Sequence, residues 1–196
     1  MNQRDQDSIT GKGKVVALCG MPGSGKGEFA EIARSLNIPV YSMGDVVRDY
    51  FKEYFPNRDP AEIGGFADEE RKERGDGIWA RRLIEKIQRE GGDELVIIDG
   101  LRSRHESDLF SDEWGDRFIV CAIHSSPNTR FKRLRDRGRG DDPKTRYQFN
   151  NRDIRELGWG LGDVIALADI MVLNEGTVKE IRGKAKEMTE LLRWTR

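Results

Sequence analysis

Short apolar runs along the chain alternate with longer segments in which apolar residues recur at helical spacing. The run at residues 95–98 is apolar throughout and ends at Asp99, which is typical of a strand buried on both faces. Similar runs predict strands at residues 15–19, 39–42, 118–123 and 169–173. The segments between them predict helices at residues 26–35, 44–55, 127–137 and 178–194, with one or two more at 61–91. Strands that alternate with helices indicate an α/β fold, in which a five-stranded parallel sheet has helices on both faces.

The composition fits one globular domain without a membrane segment. The 196 residues are 36% hydrophobic and 35% charged, and the mean hydropathy is -0.71. No apolar run approaches the ~20 residues that a bilayer-spanning helix needs, and residues 1–14 contain no apolar segment typical of a signal peptide. We therefore expect a cytoplasmic protein with no membrane partner, with residues 1–13 as a flexible extension and residues 14–196 as a single domain.

The charge balance limits the expected binding partners, and the cysteine content indicates the state of the thiols. The 34 basic and 35 acidic side chains leave a formal net charge of -1, which gives no general attraction for nucleic acid. We therefore expect no nucleic-acid partner, and any recognition of phosphate must come from local clusters of charge. Cys19 and Cys121 both lie in apolar runs, so we expect them to be buried and reduced. The sequence is compatible with a monomer or a dimer.

A glycine-rich segment follows the first predicted strand. Residues 20–27 read G-M-P-G-S-G-K-G, which fits the spacing G-x-x-x-x-G-K of a phosphate-binding loop placed between a strand and a helix. Backbone N–H groups must converge on phosphate oxygens in such a loop, so side chains must be absent there, and the helix N-terminus adds positive potential. An ordinary glycine turn would not explain Lys26, which brings a full positive charge to the outer phosphates. We expect ATP to bind at Gly20, Met21, Pro22, Gly23, Ser24, Gly25, Lys26, Gly27 and Glu28.

The variant form of the loop carries a family resemblance. Gly27 stands where the general motif has a Ser or Thr hydroxyl that meets magnesium. The pattern G-x-P-G-x-G-K-G resembles the loop of adenylate kinases, and the chain resembles the P-loop nucleoside monophosphate kinase family, closest to an archaeal-type group of unsettled substrate. The resemblance implies a P-loop NTPase fold with ATP and Mg²⁺ as cofactors, the metal being held largely through water. Glu28 departs from the family's Thr and leaves the contacts of metal and ATP open.

Two further segments resemble the part of that family that binds the acceptor. The segment containing Asp45 and Arg48 is similar to S-x-G-D-x-x-R, whose arginine binds the acceptor phosphate. Asp99 and Arg102 belong to a segment similar to D-G-F-P-R, shortened by one residue. The resemblance implies that Asp99 holds Mg²⁺ through water and that Arg102 is a second clamp on the acceptor. Glu106 then falls where adenylate kinases have a base-reading glutamine, although a solvated helix glutamate is the alternative.

Arginines near the middle of the chain resemble the family's catalytic set. Arg133 and Arg137 match the R-x-x-x-R pair that contacts ATP and the transferring phosphoryl group. Arg139 begins a segment similar to the start of the family's lid. A further lid arginine is best matched by Arg152, with Arg146 as the alternative.

The remaining expectations concern the adenine site and the two accessory regions. Asn174 and Gly176 lie in a segment similar to the last strand and loop of these kinases, whose backbone lies against adenine. The resemblance also implies an acceptor-binding insertion at about residues 42–91 and a short lid at about residues 138–152.

These observations together favour a phosphotransferase. The expected reaction moves the γ-phosphoryl group of Mg·ATP to a nucleoside monophosphate or nucleotide-like acceptor, so the expected partners are ATP and a phosphate-bearing small molecule. One alternative is a small-molecule kinase similar to dephospho-coenzyme A kinase, in which a hydroxyl attacks and Asp45 is the available base. Another is an ATPase switch or assembly factor that binds RNA or protein through its arginine-rich helix.

Overall fold

The computed structural model describes residues 13–59, 62–90, 95–139 and 142–194. Its strands are β1 (Lys14–Cys19), β2 (Val40–Ser42), β3 (Leu95–Asp99), β4 (Phe118–His124) and β5 (Ile170–Leu173). They form one sheet of five parallel strands in the order β2-β3-β1-β4-β5. The predicted α/β fold with a five-stranded parallel sheet is therefore confirmed. The extension expected at residues 1–13 lies outside the described residues except for Gly13.

Helices surround the sheet. Within the described ranges they are α1 (Lys26–Ser35), α2 (Met43–Tyr54), α3 (Ile63–Arg74), α4 (Ile78–Glu90), α5 (Arg104–Trp114), α6 (Pro127–Arg137), α7 (Arg146–Gly158), α8 (Leu161–Ala166) and α9 (Val178–Trp194). The segment at 61–91 forms two helices, within the one or two predicted, whereas α5, α7 and α8 were not predicted. None of the helices in the described part of the chain combines the length and apolar character needed to cross a membrane.

Alternate residues of β1 point to opposite faces of the sheet, and both faces are covered. Ala17 packs in a core cluster that contains Trp79 of α4 and Phe110 of α5. Leu18 packs in a second cluster, which contains Phe29 of α1. All five of these residues are completely buried. The two clusters explain why the strand sequences are apolar without a polar alternation.

Both cysteines are buried and free, as expected. Cys19 ends β1, and Cys121 lies on β4 opposite Leu18. Burial raises the pKa of Cys19 to about 11 and that of Cys121 to about 12. Both thiols are therefore protonated near neutral pH and act as small apolar side chains.

A buried ion pair attaches α7 to the loop that follows β1. Arg130 of α6 is 4% exposed, and its Nη1 and Nη2 donate to the two carboxylate oxygens of Asp153 on α7 at 2.8 and 2.6 Å. Nη1 also donates to the Pro22 carbonyl at 3.2 Å, and Nε donates to the Ser125 carbonyl at 3.3 Å. One guanidinium thus joins α7, the glycine-rich loop and the end of β4.

We predict that Arg130→Ala lowers the free energy of unfolding by roughly 3–5 kcal/mol, because it leaves the Asp153 carboxylate largely buried without its partner. Urea denaturation followed by tryptophan fluorescence measures this loss. Arg135→Ala is the matched control, since Arg135 lies on the same helix with its side chain 59% exposed, and it should change stability by less than about 0.5 kcal/mol. Equal losses for the two variants would contradict the role given to the ion pair.

Candidate active site

The glycine-rich loop leaves the carboxyl end of β1 and leads into α1 in a conformation that depends on glycine. Gly20, Gly23 and Gly25 have φ angles of +143°, +83° and +106°, in the region that L side chains rarely adopt. A Cβ at Gly20 would collide with the carbonyl oxygen of Ile123, and one at Gly25 would collide with the side-chain amide of Asn174. The loop therefore needs glycine both for its backbone angles and for its close contact with neighbouring strands.

The back of the loop is tied to the loops that follow β4 and β5. The Met21 carbonyl accepts a hydrogen bond from the N–H of Ser24 at 3.1 Å. Ser24 is completely buried, and its carbonyl accepts from Ser125 Oγ at 3.2 Å and from Asn174 Nδ2 at 2.8 Å. These contacts hold the loop in one shape before any phosphate binds to its front.

Lys26 is the first residue of α1, and its Nζ donates a hydrogen bond to the carbonyl of Gly20 across the loop. Burial is the main influence on this amine and lowers the pKa of Lys26. The carboxylates of Asp99 and Glu156 act in the opposite direction, and Arg102 adds to the lowering. The lysine thus lies at the mouth of the loop, where two acidic side chains and one arginine act on its charge.

Asp99 ends β3 and lies beside Leu18 of β1, so its carboxylate is at the same sheet edge as the loop. Burial raises the pKa of Asp99, although the charges of Lys26 and Arg102 lower it. The neighbouring positive charges therefore do not fully offset the burial of this carboxylate, and it can accommodate a divalent cation as well.

The donor set fits Mg²⁺ and not a fully protein-bound metal. Among the described residues, no group of three or more His, Cys, Asp or Glu side chains is arranged to hold a metal. Mg²⁺ usually keeps several waters and binds one or two carboxylates together with substrate phosphates. A Cβ at Gly27 would meet no atom within 4 Å, so there is open space beside the loop at the position where other P-loops have a hydroxyl. Asp99 can thus hold Mg²⁺ through water.

Glu28 is engaged on the outer side of α1. Its Oε2 accepts a hydrogen bond from Arg182 Nε of α9 at 2.7 Å. This ion pair joins α1 to α9 and gives the unexpected glutamate a structural partner.

Arg133, Asn174 and Gly176 meet in one cluster. Arg133 Nη1 donates to the Asn174 carbonyl at 3.0 Å and to Ser125 Oγ at 2.9 Å, and Nη2 donates to the Gly176 carbonyl at 2.7 Å. The guanidinium therefore supports the loop after β5, which in turn contacts Ser24. In this structure Arg133 braces the nucleotide loop from behind.

A second cluster gathers the arginines expected to contact the transferring phosphoryl group. Arg137 Nε and Nη2 donate to the two oxygens of Asp142 at 2.9 and 2.5 Å. Arg152 Nη1 lies 3.6 Å from the same carboxylate, and the backbone N–H of Arg139 donates to it at 2.9 Å. The hydrogen bonds from Arg137 hold the pKa of Asp142 below its usual range. Arg146, the alternative lid arginine, instead donates to Asn128 on α6 at 2.9 Å.

The lid expected at about 138–152 ends inside α7, which continues to Gly158. Residues 140–141 of that lid lie outside the described residues.

The acceptor side carries two pairs of opposite charge. Arg48 donates to Asp45, one turn earlier on α2, and both side chains are more than half exposed. Arg102 follows β3 with its side chain 47% exposed, and its Nη1 lies 3.8 Å from Glu156 Oε2 on α7. Asp45 and Arg102 both influence the charge of Asp99, which places them around the same end of the sheet.

Glu106 is not the solvated glutamate that the sequence allowed. It is 2% exposed, and its Oε2 accepts hydrogen bonds from the backbone N–H groups of Arg102 at 3.0 Å and Ser103 at 3.3 Å. With the Ser103 hydroxyl it forms a capping box at the start of α5. Burial raises the pKa of Glu106. Its role as a base-reading residue has no support from this geometry, because the carboxylate instead fixes the backbone that carries Arg102.

Apart from Arg152, sequence reasoning missed the inner face of α7. Phe149, Arg152, Asp153 and Glu156 follow the spacing of one helix face. Arg152, Asp153 and Glu156 form ion pairs, and Phe149 contacts the guanidinium of Arg130. The signal for this helix was Thr145, whose hydroxyl and Gln148 form a capping box.

Comparisons with known proteins agree with this architecture. The family model AAA_17, described as an AAA domain, matches residues 19–149. A UPF0200 protein from Hyperthermus butylicus is 42% identical over 178 residues, covering 91% of this chain and 94% of its own length. One from Methanopyrus kandleri is 46% identical over 177 residues, covering 88% and 87%. The chain belongs to the UPF0200 family.

Solved structures of other proteins share the fold of this UPF0200 protein. A gluconokinase from Sinorhizobium meliloti 1021 superposes with a TM-score of 0.57 at 18% identity, over 92% of this chain and 94% of its own. A shikimate kinase from Bacteroides thetaiotaomicron gives 0.55 at 19%, over 91% and 98%. The expected P-loop NTPase fold is confirmed.

We predict different effects of alanine at Gly25 in the loop and at Gly27 in the first turn of α1. Gly25→Ala should lower the free energy of unfolding by at least about 1–3 kcal/mol, because φ is +106° and the new Cβ would collide with Asn174. Gly27→Ala is the control, since its Cβ would meet open space at the start of a helix, and it should be neutral or stabilise by up to roughly 1 kcal/mol. Urea denaturation checks both, and equal stabilities would contradict the loop geometry.

The Asp142 cluster predicts a pH dependence of stability. Because the folded-state pKa of Asp142 is lowered, its contribution is fully present above the unfolded value of about 4 and is lost as the pH falls through the folded pKa. Asp142→Asn should therefore destabilise the protein at pH 6, with a smaller difference from wild type at pH 3. Denaturation with urea at the two pH values measures this. Asp136→Asn, at an exposed acid on α6, should not show it, and a difference independent of pH would contradict the assignment.

Proposed function

We propose that this UPF0200 protein is an ATP-dependent phosphotransferase that acts on a small-molecule acceptor with an anionic group. The observation that carries the proposal is the glycine loop with Lys26 at its mouth, directly beside the Asp99 carboxylate on the neighbouring strand. Two proteins of similar fold are named as kinases, a gluconokinase and a shikimate kinase, which supports phosphoryl transfer in preference to other P-loop chemistry.

Phosphoryl transfer asks the protein mainly for positioning and positive charge, with little covalent work. In the proposed site, backbone N–H groups of the loop and the Lys26 ammonium bind the outer phosphates of ATP. Mg²⁺, held by Asp99 through water, neutralises phosphate charge when bound. Arg137, Arg139 and Arg152 supply further positive charge from the Asp142 cluster. Asn174 and its loop lie on the side where we place the adenine.

The acceptor is placed at Arg48 and Arg102. Their guanidinium groups are about half exposed, and each can bind a phosphate or carboxylate through two parallel hydrogen bonds. A nucleoside monophosphate or another nucleotide-like molecule satisfies this site. A hydroxyl acceptor of the dephospho-coenzyme A type satisfies it as well, since such a molecule also carries an anionic group.

The alternative of a switch that binds RNA or protein through α6 is weakened by the contacts of that helix. Arg130 is buried against Asp153, Arg133 serves the loop after β5, and Arg137 is bound to Asp142. Three of the arginines that suggested the alternative thus have partners within the domain. A cytoplasmic location and the absence of a nucleic-acid partner stay predictions.

Calorimetry with Mg·ATP tests the proposal, and we expect measurable heat of binding. With an acceptor that is turned over, Lys26→Ala should lower kcat by about 10²–10³-fold, because it removes a positive charge aimed at the transferring group. Lys186→Ala, at an exposed position on α9, is the control and should leave kcat unchanged. The proposal fails if wild-type protein gives no heat with Mg·ATP and Lys26→Ala changes nothing.

A further inference from the structure

Glu156 is a buried acid whose contacts within the protein leave it short of hydrogen bonds. It lies on α7 with 5% of its surface exposed. In the described part of the chain, the ion pair with Arg102 at 3.8 Å is the only ion pair or hydrogen bond of its carboxylate. That distance is too long for a hydrogen bond. Neither carboxylate oxygen is fully enclosed without a hydrogen-bond partner, so a donor from outside the chain can reach this carboxylate.

The location of the carboxylate indicates what that donor is. Glu156 acts electrostatically on Lys26, which faces the outer phosphates, and it pairs with Arg102, which faces the acceptor. With ATP and the acceptor bound as proposed above, Glu156 lies between the outer phosphates and the anionic group of the acceptor. The attacking atom of the acceptor would then occupy the same region.

Helix α7 holds this carboxylate in a fixed position relative to the loop. Asp153, one turn before Glu156, is bound by Arg130, and Arg130 also donates to the Pro22 carbonyl. The distance between the phosphate cradle and the Glu156 carboxylate is thus determined by a short path through buried, hydrogen-bonded groups. Such positioning is what general base catalysis requires.

The charge of Glu156 discriminates between two kinds of attacking group. The phosphate oxygen of a nucleoside monophosphate is already an anion, so it needs no base, and a nearby carboxylate repels it. An alcohol is neutral, donates a hydrogen bond to a carboxylate, and must lose its proton as it attacks.

We propose that Glu156 is the catalytic base of this site and that the acceptor is an alcohol that also carries an anionic group for Arg102. This inference rests on the proposed function and specifies its substrate class. In the step, the acceptor oxygen forms a bond to the γ-phosphorus while the bond from that phosphorus to the β,γ-bridging oxygen breaks. ADP leaves with the electron pair, and the hydroxyl proton passes to the Glu156 carboxylate. The products are ADP and a phosphate monoester, and Glu156 then releases its proton to water.

Asp45 is the competing base, and its surroundings differ. Its side chain is 52% exposed and it is bound by Arg48 on the same helix. A solvated carboxylate already paired with an arginine is a weaker hydrogen-bond acceptor for a substrate than a buried one without hydrogen bonds. The two acids can be separated by experiment, because both Glu156→Gln and Asp45→Asn preserve shape while removing the base.

The test uses the full chain with Mg·ATP and two sets of acceptor probes. The alcohols are dephospho-coenzyme A, glycerol 3-phosphate, ribose 5-phosphate, D-glycerate and gluconate, and the phosphates are AMP, CMP, GMP and UMP. Phosphorus NMR distinguishes a new phosphate monoester from a new phosphoanhydride. We expect a monoester from at least one alcohol, and Glu156→Gln should lower kcat for it by about 10²–10⁴-fold while KM for the alcohol changes little.

Controls separate the inference from folding and from the proposed function. Glu187→Gln makes the same chemical change at an exposed position on α9 and should leave kcat unchanged. Glu156→Asp keeps a carboxylate and should recover part of the lost rate. This variant also tests the role of the carboxylate if the glutamine variant does not fold. A phosphoanhydride as sole product, no phosphorylated alcohol despite Mg·ATP binding, full activity of Glu156→Gln, or a comparable loss in Asp45→Asn alone would each overturn the inference. Absence of Mg·ATP binding by wild-type protein would instead overturn the proposed function.

Discussion

The bidentate ion pair between Arg130 and Asp153 is the contact on which the arrangement of the site depends. Burying two charges is costly unless they are closely paired and hydrogen-bonded. Here Arg130 donates to both oxygens of Asp153 and also to the Pro22 carbonyl of the glycine loop. The pair attaches α7 to the glycine loop, and the same helix carries Arg152, 3.6 Å from Asp142, and Glu156, 3.8 Å from Arg102. A helix more than 120 residues away along the chain thereby completes a site that begins at β1.

Features that depend on neighbouring residues could be predicted from the sequence. The five strands were visible as apolar runs, and the glycine loop was visible because its spacing, its lysine and its place between strand and helix all agree. The helix at Arg146–Gly158 was missed because its inner face is charged, with Arg152, Asp153 and Glu156 in positions that an apolar pattern would fill. Periodic hydrophobicity identifies helices that pack on a core and gives little signal for one that packs through ion pairs.

The individual roles of the arginines could not be read from their spacing. A guanidinium binds a phosphate, a carboxylate or a carbonyl oxygen with the same donors. The structure shows Arg133 on the carbonyls of Asn174 and Gly176, and Arg137 on the carboxylate of Asp142. Which of these oxygens a given arginine meets depends on tertiary distances, and the same holds for Glu106, whose carboxylate caps a helix. Residue types and spacing thus locate the site, and the tertiary structure determines which contact each side chain makes.

The contact between Gly25 and Asn174 has a consequence for how this family can diverge. The amide of Asn174 occupies the space that any side chain at Gly25 would need, and it also binds the Ser24 carbonyl. A smaller residue at position 174 would not by itself admit a side chain at position 25, because the φ angle of +106° would still disfavour it, and it would lose the hydrogen bond to the Ser24 carbonyl. Packing at position 174 is therefore limited by a backbone segment 149 residues earlier in the chain.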